Sequence, residues 1–239
     1  MLKLIILFED ENYVIVNKPS GVLSIPDRHN DQFVSISNEL KKKYGQTFVV
    51  HRIDKDTSGC ICFAKNEKAH QHLSSLFTNR NVEKKYLGII YGCFEQKKGT
   101  IDKAIMEHPY IKGKMIINAK NGKPSITEYK VLETFGKFSL VEYKIHTGRT
   151  HQIRIHSADL GCPIVCDSVY GSVHPIYISS LKKNYKISKD ALEEKPILNR
   201  LALHAFQISF FDTNNKKIEA TADLPKDMNS MLNQLRKWM

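Results

Sequence analysis

At 239 residues, 41% of them hydrophobic, the chain can bury a full core as one large domain or two small ones. Thirty-six Lys and Arg against 25 Asp and Glu give a net charge of +11, which favours polyanionic partners, nucleic acid first, although a solubilising surface accounts for basicity alone equally well. No apolar run approaches the roughly 18 residues of a membrane-spanning helix, and five Cys without a CxxC pair speak against zinc and fit reduced thiols in a cytoplasmic protein.

The greasy start, Leu2 to Phe8, turns acidic at Glu9 and has no small-residue cleavage site, so an edge strand is expected there rather than a signal peptide. Tyr13 to Asn17 reads as a strand closed by the turn Lys18-Pro19-Ser20-Gly21. Residues 30–44 suggest a short helix ending in Lys41, Lys42 and Lys43. Thr47 to Val50 and Cys60 to Ala64 read as buried strands, with Cys60 and Cys62 packing as small hydrophobes. Between them lies the loop His51 to Gly59. Asn66 should cap an amphipathic helix over 67–79, with Ala69, Leu73, Leu76 and Phe77 on one face.

Lys85 to Tyr91 is a further strand, and the Lys- and Gly-rich residues 97–124 read as hairpins and loops. Ile126 to Thr134 and Lys137 to His146 should pair across Phe135-Gly136. A helix follows, capped by Thr150, ended by Gly161 and blocked by Pro163. Residues 174–198 look like an exposed insertion carrying Lys182, Lys183, Lys186 and Lys189. Leu201 to Phe211 alternates as a strand. Beyond Pro225, a closing amphipathic helix is marked by Met228, Met231, Leu232, Leu235 and Trp238. The expected class is α+β, a mixed and mainly antiparallel sheet flanked by helices, with no repeat or linker dividing the chain.

Asp54 is the first residue able to carry chemistry. A carboxylate held between two core strands can act as nucleophile or base, and Arg52 or Arg154 could keep it ionised. The same pattern also describes an Asp–Arg pair that merely braces the loop. Arg149, His151 and Arg154 gather at a helix entry suited to anions, or to a solvated surface. Tyr86 could stack on a planar base, or simply pack in a core strand. There is no GxSxG elbow, P-loop, GxGxxG or HExxH, and Asp54 with Asp56 in one loop cannot flank a sugar as glycosidase carboxylates do.

His51-Arg52-Ile53-Asp54-Lys55-Asp56-Thr57-Ser58-Gly59 resembles the HRLDxxTSG motif of the RluA-type pseudouridine synthases, departing only at Ile53. Four further blocks resemble that family in the same order. They are Asn17 to Gly21, Lys85-Tyr86 with Gly92, Gly148 to Gly171 (a GRTHQIRVH…GxPIxGDxxYG pattern), and Arg200 to Ala205 (RLxLHA). The resemblance runs from about residue 12 to 225.

It implies a single catalytic domain over 1–239 with a central active-site cleft, isomerising a uridine in ribosomal or transfer RNA to pseudouridine. Asp54 would be catalytic, Arg154 would hold it ionised, and Tyr86 would stack on the base. Ile153 would pack beside that base, and Arg52 would help displace the nucleotide from its stack. Arg149, His151 and Lys18 are expected on the substrate. No metal or organic cofactor is implied, and the expected state is a cytoplasmic monomer. Ser157, Cys162 and Cys166 depart from the usual Leu, His and Gly of the third motif. Eleven residues before the first motif cannot hold the S4-like domain of many relatives. RNA affinity is then expected from Lys41 to Lys43, the lysines of 112–123 and those of 182–189, each of which also reads as a solvated face.

Overall fold

The computed structural model describes residues 2–27, 33–182, 185 and 193–239. Its elements in chain order are β1 (Ile5–Glu9), β2 (Tyr13–Lys18), α1 (Ile36–Tyr44), β3 (Phe48–Val49), β4 (Ser58–Ala64), α2 (Glu67–Thr78) and β5 (Glu83–Tyr91). Then come β6 (Lys98–Asp102), β7 (Ile105–Glu107), β8 (Met115–Ile117), β9 (Ile126–Phe135) and β10 (Phe138–Ile145). The last are α3 (Gln152–Asp159), α4 (Ile178–Leu181), β11 (Leu203–Phe211), β12 (Lys217–Thr221) and α5 (Lys226–Trp238). The class is the expected α+β with a mixed, mainly antiparallel sheet. Two compact units are separable. One holds Met1–Tyr86, Lys144–Thr147 and His204–Asp223; the other holds Leu87–Tyr143, Gly148–Leu203 and Leu224–Met239.

In the first unit β2 and β4 pair antiparallel at the centre, with β1 beyond β2. Alternate residues of both strands feed opposite cores. Tyr13, Ile15, Cys60 and Cys62 pack with Ala69 and Leu73 of α2, while Val14, Val16, Ile61 and Phe63 pack with Ile36 and Leu40 of α1. Both faces are covered, which is why these strands read as unbroken apolar runs rather than alternations. Asn66 caps α2 as expected, accepting from the Ala69 N–H.

The far edge of β4 changes partner along its length. At its end β3 pairs antiparallel, Phe48 with Ala64 and Val49 with Phe63; at its start β11 pairs parallel, His204 with Ser58 and Ala205 with Gly59. The loop holding Asp54 leaves β3 and enters β4 where that exchange occurs. Gly59 sits there with φ +112°, and a Cβ on it would lie 2.7 Å from both the carbonyl carbon and the nitrogen of Ala205. Gly59→Ala should therefore cost at least about 3 kcal/mol, combining backbone strain with a clash against a buried strand. Urea unfolding checks this; a midpoint unchanged from wild type would refute the close-approach role.

In the second unit β9 pairs antiparallel with β6 and neighbours β10, and β7 with β8 forms a separate hairpin. The turn at Phe135-Gly136 falls where expected, Gly136 having φ +57°. Arg200 makes two hydrogen bonds of 2.6 and 2.7 Å to Asp227 in the first turn of α5, tying the late motif to the closing helix. Met228, Met231, Leu232 and Leu235 of that helix are buried as expected. Trp238 is exposed instead, with the Lys182 ammonium 4.5 Å from its ring centroid.

Two expectations need correction, and one strand went unread. Thr150 is exposed and does not cap α3: His151 takes the cap position in the left-handed region, and the Gln152 side chain reaches back to accept from the Arg149 N–H at 3.0 Å. The 174–198 stretch is not simply exposed. Ile176 and Leu198 are buried and joined by a 2.7 Å main-chain bond, and Leu181 is buried beside them. Lys183, Lys186 and Lys189 lie outside the described residues. Finally, β12 carried no strand signal strong enough to be read. It completes the first unit by pairing with β11 over Lys217–Thr221.

Candidate active site

The first and second motifs of the chain form one piece of structure. Lys18 is fully buried, and its ammonium donates to the carbonyls of Pro19, Val22 and Lys55 at 3.1, 2.6 and 2.7 Å. The Lys55 carbonyl also accepts from the Gly21 N–H at 2.9 Å. Ser20 donates to the Asp56 carbonyl at 2.6 Å, and Ser24 donates to the Ile53 carbonyl while accepting from the Ile53 N–H. The loop is thus held by its main chain, from residue 53 to 56. A buried ammonium is tolerated because charge-assisted bonds to carbonyl dipoles offset its desolvation. Lys18 is accordingly a brace for the loop, with its ammonium turned to carbonyl oxygens rather than outward to a substrate.

At the head of the loop, the His51 ring stacks on Phe77 of α2 at 4.6 Å, and its Nε2 accepts from the Cys62 N–H at 2.9 Å. Burial of the ring pushes its pKa down to about 3, and the Lys84 charge adds to this. The imidazole keeps some exposed edge, yet protonating Nε2 would forfeit the bond to β4, so geometry and electrostatics agree on a neutral ring. At the tail, Ser58 Oγ lies 2.8 Å from Nδ1 of the buried His204, whose Nε2 donates to the Ala222 carbonyl at 3.0 Å. The TSG and LHA motifs are therefore two sides of one strand pairing.

Asp54 is half-buried and Arg52 exposed. The bonds above hold the loop through its main chain. Arg52 also lines a cavity of about 310 Å³ with Leu23, Ser24, Pro26, Asp27 and Lys55. Tyr86 is buried on β5. Burial pushes its hydroxyl pKa up, and the Asp54 carboxylate raises it further, so the two expected residues share an electrostatic environment within the first unit. The phenol stays protonated at neutral pH.

In the second unit Arg154 and Ile153 are buried on α3. Arg154 forms a two-pronged pair with Asp167, Nε to Oδ2 and Nη2 to Oδ1, both 2.8 Å. Oδ1 of Asp167 also accepts from the Val169 and Tyr170 N–H groups at 2.9 and 3.2 Å. Burial alone would raise the Asp167 carboxyl, but the bonds and charge of Arg154, joined by those amides, outweigh it and hold the pKa low. The guanidinium lies 5.3 Å from the Tyr170 ring centroid, and the Tyr170 hydroxyl bonds His151 Nδ1 at 3.0 Å and accepts from Met115 N–H. His151 is thereby part of the frame around Arg154. Arg149 is half-buried, donates from Nε to the Pro124 carbonyl at 3.3 Å, and lines a cavity of about 500 Å³ with Lys123, Asn121 and Thr150.

The sequence reading missed Asp167. The one signal was proximity: Asp167 lies in the same motif, 13 positions after the Arg, but Arg154 was read at an anion-binding entry or a solvated surface, neither of which asks for a carboxylate of its own. One of the motif departures also finds its reason, and for Cys166 nothing in the structure explains the replacement of Gly. Ser157 donates to or accepts from the buried Tyr143 hydroxyl at 2.8 Å, which a Leu could not do. Cys166 has φ +57°, a conformation in which the usual Gly carries no steric cost. Among the described residues no group of three His, Cys, Asp or Glu side chains could hold a metal ion.

The chain is also similar to known proteins. Residues 12–159 match the model of the RNA pseudouridylate synthase family. The ribosomal large subunit pseudouridine synthase D of Buchnera aphidicola subsp. Schizaphis graminum is 35% identical over 97% of this chain and 73% of its own length. The enzyme of the same name from Nitrosomonas europaea is 34% identical over 97% of this chain and 65% of its own. The solved structure of human RNA pseudouridylate synthase domain containing 4 is similar with a TM-score of 0.75 at 28% identity, covering 97% of this chain and 93% of that one. The chain belongs to the RluA-type RNA pseudouridine synthase family and is an enzyme that isomerises uridine in RNA to pseudouridine.

Proposed function

We propose that the chain modifies a uridine of large-subunit ribosomal RNA, with Asp54 as its catalytic carboxylate, acting in the cytoplasm as a monomer. The observation that carries the reading of Asp54 is the loop anchored through the backbone of residues 53–56, with Tyr86 inside the electrostatic reach of the carboxylate. Such a loop presents one acid in a fixed place, as a positioned catalytic group requires. The names of the bacterial relatives, ribosomal large subunit pseudouridine synthase D, support the choice of RNA.

The reaction breaks the N1–C1′ bond, turns the uracil and joins C5 to C1′, with the C5 proton leaving and N1 taking one up. A stacked uridine hides those atoms, so the base must be flipped at a cost of a few kcal/mol. Arg52, exposed at the loop's surface, is the group proposed to fill the space left. Tyr86 would lie against the uracil, Ile153 would pack beside it, and Arg154 would keep the catalytic carboxylate ionised. Arg149 at the wall of its cavity is a proposed substrate contact. Lys18 and His151 would serve by positioning the groups that touch RNA.

Pseudouridine mapping of cellular RNA with and without this gene tests the substrate. Loss of a large-subunit ribosomal site is expected. Loss only at a transfer RNA site would transfer the assignment to that RNA, and an unchanged map would remove it.

A further inference from the structure

Lys84 lies two residues before Tyr86 on β5, so both side chains leave the same face of the strand, about 7 Å apart along it. Its ammonium sits 5.5 Å from the Phe77 ring centroid, the same ring on which His51 of the catalytic loop stacks. The side chain is largely covered. Its neighbours Lys85 and Lys144 both reach Glu83, whereas Lys84 has no carboxylate partner among the described residues. Burial alone pulls its pKa down to about 8. A partly desolvated cation without a counter-ion, beside a site that takes a polyanion, is stabilised by an arriving anion.

We propose that Lys84 binds a phosphate of the RNA strand, at the target uridine or the nucleotide next to it. The separation from Tyr86 is within the span of one nucleotide, so a base against Tyr86 and its own or adjacent phosphate at Lys84 can be engaged together. The ring of Phe77 lies under the ammonium. The neutral His51 next to it adds no competing charge. The inference rests on the site proposed around Asp54 and Tyr86, but its test does not require turnover.

The test measures binding of a labelled twelve-residue oligouridylate to Asp54→Asn protein, alone and combined with Lys84→Met or Lys84→Arg, over a range of salt. Lys84→Met should weaken binding about tenfold and reduce the log–log salt slope by about 0.7, the single-strand value for one phosphate. Lys84→Arg should keep the slope. An unchanged slope in Lys84→Met overturns the phosphate contact, whatever happens to pseudouridine formation. If Lys84→Met does not fold, reductive methylation of the wild-type protein read by mass spectrometry decides the matter. The oligouridylate should protect Lys84; equal labelling with and without RNA overturns the proposal.

Discussion

Replacing Asp54 by Asn should abolish pseudouridine formation, by at least about a thousandfold, and leave the stability within about 1 kcal/mol of wild type. The expectation follows from how the loop is held. Its anchors are the carbonyls of Ile53, Lys55 and Asp56, gripped by Ser24, Lys18 and Ser20. The amide of Asn has the size of the carboxylate, so the backbone has no reason to move. What disappears is a negative charge at a fixed point. Tritium release from RNA labelled at uracil C5 measures the chemistry, and urea unfolding measures the fold. The Tyr86 hydroxyl supplies a second readout, since loss of the Asp54 charge should let its raised pKa fall. Full tritium release by Asp54→Asn would rule out the catalytic assignment.

Asp167→Ala should be the most damaging single change to stability in the second unit, at about 3–5 kcal/mol, because it strands a buried guanidinium. It also leaves the Val169 and Tyr170 amides without their acceptor. A double change with Arg154→Met should cost much less than the sum of the single ones, which a double-mutant cycle measures. The pH dependence has a definite sign. Because the folded carboxyl sits below its ordinary value near 4, the pair contributes stability above that pH and loses it as the pH falls through the folded value. Arg154→Ala should reduce turnover far more than RNA affinity, because a guanidinium already committed on one edge to Asp167 is an orienting group rather than a phosphate hook. Equal losses in both would assign it to binding.

Periodicity and capping made much of this legible in advance. Asn66, the 67–78 helix and the turn at Gly136 were written in local sequence, where the physics is local. The failures arose where a partner lies far along the chain. Nothing near Lys18 says that its ammonium will meet the carbonyl of Lys55, 37 positions away, so a motif lysine looked like a substrate contact. Thr150 has the right chemistry for a cap, but His151 takes that position, and the Gln152 side chain is spent on the Arg149 N–H, the Ile126 carbonyl and Thr127. Lys42 and Lys43 were read as RNA contacts or a solvated face, and the ion pair with Glu39 and the stacking on Tyr44 favour the latter.

The exchange of partners along β4 bears on when the enzyme becomes competent. The end of that strand is secured by β3, a few residues upstream, but its beginning depends on β11 and on the Ser58–His204 contact, 146 positions downstream. Closing so long an interval is slow and comes late in folding. During synthesis the ribosome must release residues 204–222 before the entry to β4 has its neighbour, so a chain interrupted anywhere before them carries Asp54 on an unfinished hinge. Order of synthesis would thus keep Asp54 from being held in place until the downstream part of the sheet has been made.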